Sequence, residues 1–428
     1  MAEHLPSAGI LAIACGVLTL LCIVLGLVIW SVKRQRDPKL QIKCDAPIKD
    51  LVPSIAGLTH GGEVDGNTVE ILQNGAFFDT MIDAVSKAKH SIHFETFLWK
   101  EGKLGKRLAD ALCERARAKV TVRVILDDNG CRGIGKGVRE RLEKAGCKVT
   151  LFHPWSFRNL GVMNRRDHRK IVVLDGRTAF VGGHCIVDTW LGEGQDKEHC
   201  RDISVRLRGP IVHRVQAAFS ENWVEGTGEL FAGEDYFPKL KEVGDLKVHA
   251  AYVKPEGSAP AVKVLHHMVI CTTRKRLWIQ NPYFLPEPDA VEAFGEAVKR
   301  GVDVRVMVPT AEASDMPMVQ HAAHRNFGRL LELGVRIFEF PTTLMHQKVM
   351  TVDGVWSAVG TTNFDDRAFE INDEITLGIH GESIAKELEA IFEKDMEVCI
   401  ELDRKTWGER GTLHKLKDNI YYLWNEFL

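Results

Sequence analysis

The sequence predicts an α/β protein of two similar domains, each a mostly parallel sheet flanked by helices, preceded by one transmembrane helix. Two observations predict this architecture: an uncharged apolar run near the N-terminus, and one order of helices and strands that occurs twice in the remaining chain. The chain has 428 residues, of which 45% are hydrophobic and 27% are charged. That length and composition suit two globular domains with an appendage.

The N-terminal run contains no charged residue between positions 10 and 30. As a helix it would be roughly 30 Å long, which matches the hydrocarbon core of a bilayer. Basic residues follow it, and the leader before it has no Lys or Arg, which favours an uncleaved anchor over a cleaved signal peptide and a cytoplasmic location for the following chain. We therefore expect residues 1–36 to form a single-pass anchor in the inner membrane, followed by a linker at 37–66.

The repeat consists of a helix, a strand, a second helix and a second strand. These elements are predicted first at residues 77–88, 91–97, 104–116 and 120–126, and again at residues 262–272, 277–284, 289–299 and 302–308. In each copy a later helix ends at a glycine, Gly146 or Gly334, before another strand. Strands that alternate with such helices indicate a parallel sheet. The predicted domains are 67–230 and 258–404, with a connection at 231–257. The amphipathic tail at 405–428 is expected to pack on the domain, with a position on the membrane surface as the alternative.

Composition limits the kinds of function. The formal net charge is −2, whereas proteins that mainly hold nucleic acid usually carry a basic excess, so no nucleic-acid partner is expected. The ten cysteines are scattered without a CxxC pair, which is typical of reduced thiols rather than of a zinc site or a disulfide scaffold. The sequence contains neither a P-loop nor an EF-hand pattern. We expect no metal, no nucleotide and no other cofactor.

Each copy of the repeat contains one HxKxxxxD motif, and the two motifs lie 178 residues apart. Positions i and i+2 of a strand share a face, so the histidine and lysine of each motif are predicted to point the same way. One imidazole can attack phosphorus and another can protonate the departing oxygen, while two ammonium groups stabilise the phosphate. The candidate catalytic residues are therefore His168, Lys170, Asp175, His346, Lys348 and Asp353.

Three further residues are candidates for the same site. A carboxylate follows each motif after a strand-length gap, Asp202 in the first copy and Glu374 in the second, and each histidine needs an acceptor for its other ring nitrogen. Arg166 belongs to a basic and aromatic stretch, residues 154–169, that could steer anionic head groups toward His168 or could be an ordinary solvated loop. We include Asp202, Glu374 and Arg166 among the substrate-binding candidates.

Paired HxKxxxxD motifs followed by glycine-rich turns resemble the phospholipase D superfamily, over about residues 70–401. The runs at 360–367 (GTTNFDDR) and 372–374 (NDE) are similar to the bacterial cardiolipin synthase branch. The resemblance implies that Asn363 helps to hold the phosphate and that Glu374 orients His346. Two positions depart from the family pattern: Cys185 stands where the family often has Asn, and Ala368 stands where Ser is usual.

The resemblance implies a phosphatidyltransferase of the cardiolipin synthase type, which converts two phosphatidylglycerol molecules into cardiolipin and glycerol through a phosphohistidine. Phosphatidylglycerol and the membrane bilayer are then the partners. A phospholipase D hydrolase that releases phosphatidic acid is the alternative, and a nuclease on the same scaffold is disfavoured by the membrane span. The sequence leaves open the acceptor and which histidine is the nucleophile, because the two motifs are near copies of each other.

Overall fold

The computed structural model describes residues 8–35, 62–156, 164–252 and 261–422. Helix α1 (Ala8–Gln35) contains an apolar window, Gly9–Gly26, with a mean hydropathy of 2.6 and no contact that buries it. Eighteen helical residues are about 27 Å long. Among the described residues, α1 is the one helix that is long and apolar enough to cross a membrane, as the sequence predicted. Most of the predicted linker lies outside the described residues.

The first half of the chain follows the predicted order of helices and strands and adds a run of antiparallel strands. Its strands are β1 (Val64–Gln73), β2 (Ser91–Thr96), β3 (Thr121–Asp127), β4 (Lys148–Phe152), β5 (Ile171–Leu174), β6 (Thr178–Gly182) and β7 (Ile203–Arg208). Its helices are α2 (Ala76–Ser86), α3 (Lys103–Arg117), α4 (Lys136–Ala145) and α5 (Val212–Thr227). Gly146 ends α4 with φ 102°, a left-handed conformation that favours glycine.

The second half repeats this order and ends in additional helices. Its strands are β8 (Leu246–Ala251), β9 (Arg276–Gln280), β10 (Asp303–Pro309), β11 (Arg336–Phe340), β12 (Val349–Val352), β13 (Trp356–Gly360), β14 (Thr376–His380) and β15 (Ile400–Glu401). Its helices are α6 (Ala261–Thr272), α7 (Pro288–Lys299), α8 (Pro317–Glu332), α9 (Asp366–Glu370), α10 (Glu382–Met396), α11 (Arg404–Gly408) and α12 (Thr412–Tyr422).

The described strands form one sheet that runs through both halves, in the order β15-β11-β10-β9-β12-β13-β14-β8-β1-β7-β6-β5-β2-β3-β4. The α/β class is confirmed, but the expectation of mostly parallel strands is wrong. Only the pairs joined through helices, β2–β3–β4 and β9–β10–β11, are parallel. Each motif strand forms a hairpin with the next strand through a tight turn, β5–β6 and β12–β13, and the longer connections that lead to β7 and β14 also return the chain antiparallel.

The two halves meet where β1 pairs with β8 at the centre of the sheet. β8 lies within the predicted connection and β1 starts within the predicted linker, and the domain boundaries stay a prediction. Behind this seam the halves share one hydrophobic cluster, in which Val181 and Val205 of the first half pack with Val359 and Leu377 of the second. The halves are thus fixed relative to each other, and a site at the seam has a rigid base.

The C-terminal tail packs on the second half, as predicted, over the part that the structure describes. Trp407 of α11 and Tyr421 of α12 are partly buried against the core of that half. Both helices lie beside α8, which is itself part of the core. Residues 423–428 lie outside the described residues.

Candidate active site

The two histidines of the motifs lie just before equivalent strands, His168 before β5 and His346 before β12. Both are buried, with 8% and 6% of their surface exposed. Their backbones pair across the seam: the His168 N–H donates to the carbonyl of Asp373 at 3.0 Å, and the His346 N–H donates to that of Arg201 at 2.8 Å. The seam therefore brings both motifs into one site.

Each imidazole is held by a carboxylate from the opposite half. Nδ1 of His168 lies 2.7 Å from Oε1 of Glu374, and Nδ1 of His346 lies 2.8 Å from Oδ2 of Asp202. The expected pairing of Glu374 with His346 is therefore wrong. Both carboxylates are buried behind the histidines, so they act on the rings and hold Nδ1, which leaves Nε2 as the reactive nitrogen.

The crossed pairing follows from two short parallel bridges at the seam. One bridge joins Asp167 to Asp373, so the next residue along each segment, His168 and Glu374 respectively, comes side by side. An equivalent bridge just before the second motif brings His346 side by side with Asp202 of the first half. Neither bridge belongs to a long strand, and no pattern in the repeated sequence predicts either bridge. Sequence adjacency had suggested that each histidine is served by its own half.

Aromatic rings fix the outer side of each histidine. The ring of Phe97 stands edge-on to His168, with centroids 4.9 Å apart, and the ring of Trp190 stands edge-on to His346 at 5.2 Å. Over the described ranges, neither imidazole makes a hydrogen bond through Nε2. Each Nε2 is thus oriented and free to react, which is the condition for a nucleophile or a general acid.

The two lysines of the motifs are buried beside the histidines. Lys170 and Lys348 are 6% and 4% exposed, and each Nζ donates to the backbone carbonyl of the histidine two residues before it, at 2.8 Å. In the part of the chain that is described, neither ammonium forms an ion pair with a carboxylate. Two buried positive charges beside the reactive nitrogens make this a site for an anion such as a phosphodiester.

Burial and these charges lower the affinity of both histidines for protons. The pKa of His168 is lowered well below its usual value by burial first and then by Lys170 and Lys348. The pKa of His346 is lowered by burial and Lys348, and Asp202 opposes that shift. The His168 ring is therefore neutral near pH 7, the state in which an imidazole can attack phosphorus, whereas Asp202 beside His346 stabilises the protonated form of that ring.

The two carboxylates differ in what surrounds them. Asp202 accepts three N–H groups: Oδ2 from Trp190 Nε1 at 2.9 Å and from His346 Nδ1, and Oδ1 from the Ile203 backbone at 2.8 Å. Although burial acts to raise it, the pKa of Asp202 is lowered to about 2 by His346 and the other neighbours. Donors on both oxygens suit an ionised carboxylate.

Glu374 is in a different environment. Its Oε1 faces His168, and its Oε2 is hydrogen-bonded to the hydroxyl of Thr361, which can act as donor or acceptor. Burial raises the pKa of Glu374 to about 8, although Lys170 and Thr361 oppose this. The site is therefore symmetric in its backbone but not in its charge, because one histidine faces a carboxylate and the other faces a carboxylic acid near pH 7.

The charge on Lys348 leads to an expected pH dependence. Burial lowers its pKa to about 8, Lys170 adds to that shift and Asp202 opposes it. A lysine with a lowered pKa is an ammonium below pH 8 and neutral above it, so kcat/KM for an anionic lipid is expected to fall as the pH rises through about 8. The measurement is a pH profile of kcat/KM on detergent-dispersed phosphatidylglycerol.

Two variants separate Lys348 from Glu374, whose pKa lies in the same range. Lys348→Arg keeps its charge, so its alkaline limb should move to higher pH. Glu374→Gln lacks the titrating acid at position 374, and its kcat/KM should fall at the same alkaline pH as that of the wild type. An unchanged limb in Lys348→Arg would contradict the assignment.

Asn363 and Cys185 occupy equivalent positions after β13 and β6. Asn363 is 7% exposed, and its Oδ1 is buried without a hydrogen-bond partner among the described residues. Cys185 is buried, and the charges of Lys170 and Lys348 act on its thiol. Burial raises the pKa of that thiol to about 11, so it is neutral. The second half thus offers an amide at the site where the first half offers a weakly polar thiol.

The aspartates of the two motifs were predicted to be catalytic, but they are not part of the reactive centre. Asp175 and Asp353 have positive φ values of 52° and 54°, and each starts an Asp-Gly turn between two strands of a hairpin. Their carboxylates accept backbone N–H groups from the segments before β2 and β9: Lys89, His90 and Ser91 in the first half, and Arg274, Lys275 and Arg276 in the second. They stabilise the far ends of β5 and β12, roughly 20 Å of extended chain from the histidines.

Arg166 lies in the seam and is not part of an exposed loop. It is 7% exposed, its Nη1 lies 3.7 Å from Asp127 Oδ1, and its carbonyl accepts the N–H of Asp373. The neighbouring Arg165 donates to Asp373 at 2.9 Å. These contacts hold the segment before His168 in place, and the role of Arg166 in binding substrate stays a prediction. Residues 157–163 of the basic stretch lie outside the described residues.

Phe97, Trp190 and Thr361 are site residues that sequence reasoning missed. Trp190 contacts both Asp202 and His346, and Thr361 contacts Glu374. Thr361 directly follows the glycine that ends β13, so the glycine-rich turn was a usable signal. Trp190 lies in a short helical turn, 15 residues after the end of the first motif, where no pattern marked it.

Two buried imidazoles, two ammonium groups and two crossed carboxylates at the seam of a duplicated α/β fold define a phospholipase D-like phosphoryl-transfer centre. A family model described as "Cardiolipin synthase, PLD-like domain" matches residues 81–223 and 268–396, which is more than half of the chain. The chain belongs to this family of phospholipase D-like cardiolipin synthases.

Curated relatives and solved structures agree with that family. The major cardiolipin synthase ClsA of Bacillus subtilis is 30% identical over 384 residues, which cover 89% of this chain and 79% of the relative. A cardiolipin synthase of Staphylococcus aureus is 32% identical over 355 residues, 82% of this chain and 71% of the relative. The crystal structure of a phosphatidylserine synthase from Haemophilus influenzae shares the fold, with a TM-score of 0.63 and 14% identity over 88% of this chain and 96% of that one.

Proposed function

We propose that this protein is a phosphatidyltransferase that joins two phosphatidylglycerol molecules to form cardiolipin and glycerol. The observation that carries the proposal is the pair of crossed histidine–carboxylate contacts, which place two oriented imidazoles in one site beside two lysines. The relatives named cardiolipin synthases support the choice of substrate.

The reaction has two steps of in-line displacement at phosphorus. In the first, Nε2 of His168 attacks the phosphorus of one phosphatidylglycerol, and the bond from phosphorus to the head-group glycerol oxygen breaks. His346 gives a proton to that oxygen, and glycerol leaves. In the second, the head-group hydroxyl of another phosphatidylglycerol gives its proton to His346 and attacks the phosphohistidine. The P–N bond breaks, cardiolipin forms and both histidines return to their starting states.

The roles of the two histidines follow from their carboxylates. The general acid must carry a positive charge before it gives up its proton, and Asp202 presents a fully hydrogen-bonded carboxylate to His346. Glu374 faces His168 with less negative charge, which favours the neutral, nucleophilic imidazole there. We therefore assign the nucleophile to His168 and the acid to His346. Lys170, Lys348 and the amide of Asn363 are assigned to the phosphate oxygens.

Product analysis tests the proposed reaction. Purified protein is incubated with phosphatidylglycerol vesicles, and the lipids are measured by mass spectrometry. We expect cardiolipin and glycerol in equal amounts. Phosphatidic acid as the main product would mean that water is the acceptor and that the protein is a hydrolase, which would contradict the proposal.

We also propose that α1 anchors the protein in the inner membrane with the catalytic part in the cytoplasm. Lys33 and Arg34 follow the apolar window and favour a cytoplasmic C-terminal end. Both lipid substrates diffuse in the bilayer, so an anchored site meets them at a raised effective concentration.

The orientation is tested with an impermeant thiol reagent. The native cysteines are replaced, and Lys87→Cys introduces one thiol directly after α2, where the lysine side chain is 71% exposed. Labelling is expected only after cells are lysed. Labelling of intact cells would contradict the cytoplasmic orientation.

A further inference from the structure

A second cluster of titratable side chains lies away from the seam, between α8 and α12. Its members are His321 and His324 on α8, and His414 and Asp418 on α12. One nitrogen of each imidazole and one oxygen of the carboxylate all lie within 4.8 Å of one another. Residues three or four apart share a helix face, so each helix presents its pair to the other helix.

The distances around Asp418 suit a single small cation. Its Oδ1 lies 3.1 Å from His321 Nδ1, 3.7 Å from His324 Nδ1 and 3.5 Å from His414 Nε2. Zinc binds imidazole nitrogen and carboxylate oxygen at about 2.0–2.1 Å in tetrahedral sites, which sets ligand atoms about 3.3 Å apart. Three neutral imidazoles and one carboxylate also form a ligand set that zinc accepts. The cluster therefore needs only small movements to coordinate a tetrahedral ion.

His324 gives independent support for a ligand. It is 4% exposed, yet neither of its ring nitrogens makes a hydrogen bond among the described residues. A buried imidazole whose nitrogens meet carboxylate oxygens only beyond normal hydrogen-bond geometry is costly, and a bound cation would remove that cost. The Nε2 of His324 lies 3.4 Å from Oε1 of Glu339. A carboxylate at the far nitrogen is the usual companion of a histidine that binds metal through its other nitrogen.

The remaining charges around the cluster leave the coordinating atom free. Arg410 donates to Oδ2 of Asp418 at 2.9 Å, which is not the oxygen that faces the three imidazoles. The guanidinium also stacks on Trp407, with its carbon 3.4 Å from the ring centroid. Asp418 is 2% exposed, whereas the side chain of His414 is 42% exposed and offers a route for an ion from solvent.

We propose that His321, His324, His414 and Asp418 bind one zinc ion that fastens the C-terminal helices to the second half of the protein. The ligands come from two helices, and His414 lies 90 positions after His324 in the chain, so a bound ion would cross-link the tail to α8. Zinc would have a structural role there, because four protein ligands leave no open position for a substrate.

The test uses the full-length protein in detergent, purified without a polyhistidine tag and dialysed against EDTA. Zinc is then added, and bound metal and the melting temperature are measured. We expect one zinc per chain and a rise in melting temperature of about 5 °C when free zinc is about 100 times the dissociation constant. Cobalt(II) in place of zinc is expected to give the visible absorption of a tetrahedral site.

Zinc binding and the melting temperature are compared between the wild type and two variants, each of which replaces an exposed histidine. His414→Gln removes one ligand from a partly exposed position and should lose the bound zinc and the rise in melting temperature while it still folds. His90→Gln changes a histidine whose side chain is 58% exposed and lies outside the cluster, so it should behave as the wild type. Equal zinc binding by His414→Gln and the wild type, or no binding by either, would overturn the proposal.

Activity is measured separately, so that this proposal and the proposed function can fail independently. The reactive centre is assigned to histidines, lysines and an amide, so phosphatidyl transfer is expected to continue in EDTA at temperatures at which the protein stays folded. Transfer that needs zinc in both the wild type and His414→Gln would place the metal at the reactive centre and would overturn the structural role.

Discussion

Turnover is expected to fall by about 10⁴-fold or more when either His168 or His346 is replaced by alanine, and the double variant is expected to be no slower than either single variant. Each half of the chain supplies one of two imidazoles to a shared site, and a nucleophile without its acid, or an acid without its nucleophile, completes neither step. The measurement is kcat for cardiolipin formation by the wild type, both single variants and the double variant.

The control for this experiment is His90→Ala, which removes an exposed imidazole outside the site and should keep full activity. Circular dichroism and melting temperatures of all variants show whether the fold is kept. Activity within tenfold of the wild type in either single variant would mean that the halves hold separate sites. A double variant slower than both singles by a further large factor would also contradict the shared site, because independent effects multiply.

The repeat made much of the fold predictable from the sequence. The helices and strands of both copies lie within a few residues of their predicted positions, because their apolar spacing is regular and each is fixed by local burial. The direction of the strands around the motifs was not predictable in the same way. That direction depends on the Asp-Gly turns at Asp175 and Asp353. These aspartates had been interpreted as catalytic residues rather than as the first residues of hairpin turns.

The site was predictable in its members but not in its pairings. His168, Lys170, His346 and Lys348 are marked by a repeated motif, whereas the exchange of carboxylates between halves is set by two one-residue bridges. A bridge of that length leaves no periodic pattern, because it depends on how the two halves dock. The cluster around Asp418 was missed for a related reason: its ligand pairs lie on two helices about 90 residues apart in the chain, and only tertiary packing joins them.

The exchanged carboxylates also predict that the two halves respond differently to the same kind of substitution. Gln at position 374 can reproduce the contacts of a carboxylic acid, since its oxygen can accept from His168 Nδ1 and its amide can donate to Thr361 Oγ1. Asn at position 202 cannot reproduce those of Asp202. Both oxygens of Asp202 accept N–H groups, from Trp190 and His346 on one side and from the Ile203 backbone on the other, so an NH₂ group would face a donor in either orientation.

We therefore expect Asp202→Asn to lower kcat by roughly 10³-fold and Glu374→Gln to lower it by only about tenfold. The neutral amide at position 202 removes the negative charge that stabilises a protonated His346, and it leaves a buried donor unpaired. The measurement is kcat for both variants on the same phosphatidylglycerol vesicles, with the single-turnover rate of glycerol release, which reports the step that needs the acid.

Trp190→Phe is the matched control, because it removes one of the three donors to Asp202 and keeps the charge, so it should lower kcat less than Asp202→Asn. Equal losses in Asp202→Asn and Glu374→Gln would contradict the difference in charge between the halves, and a larger loss in Glu374→Gln would reverse the assignment of nucleophile and acid.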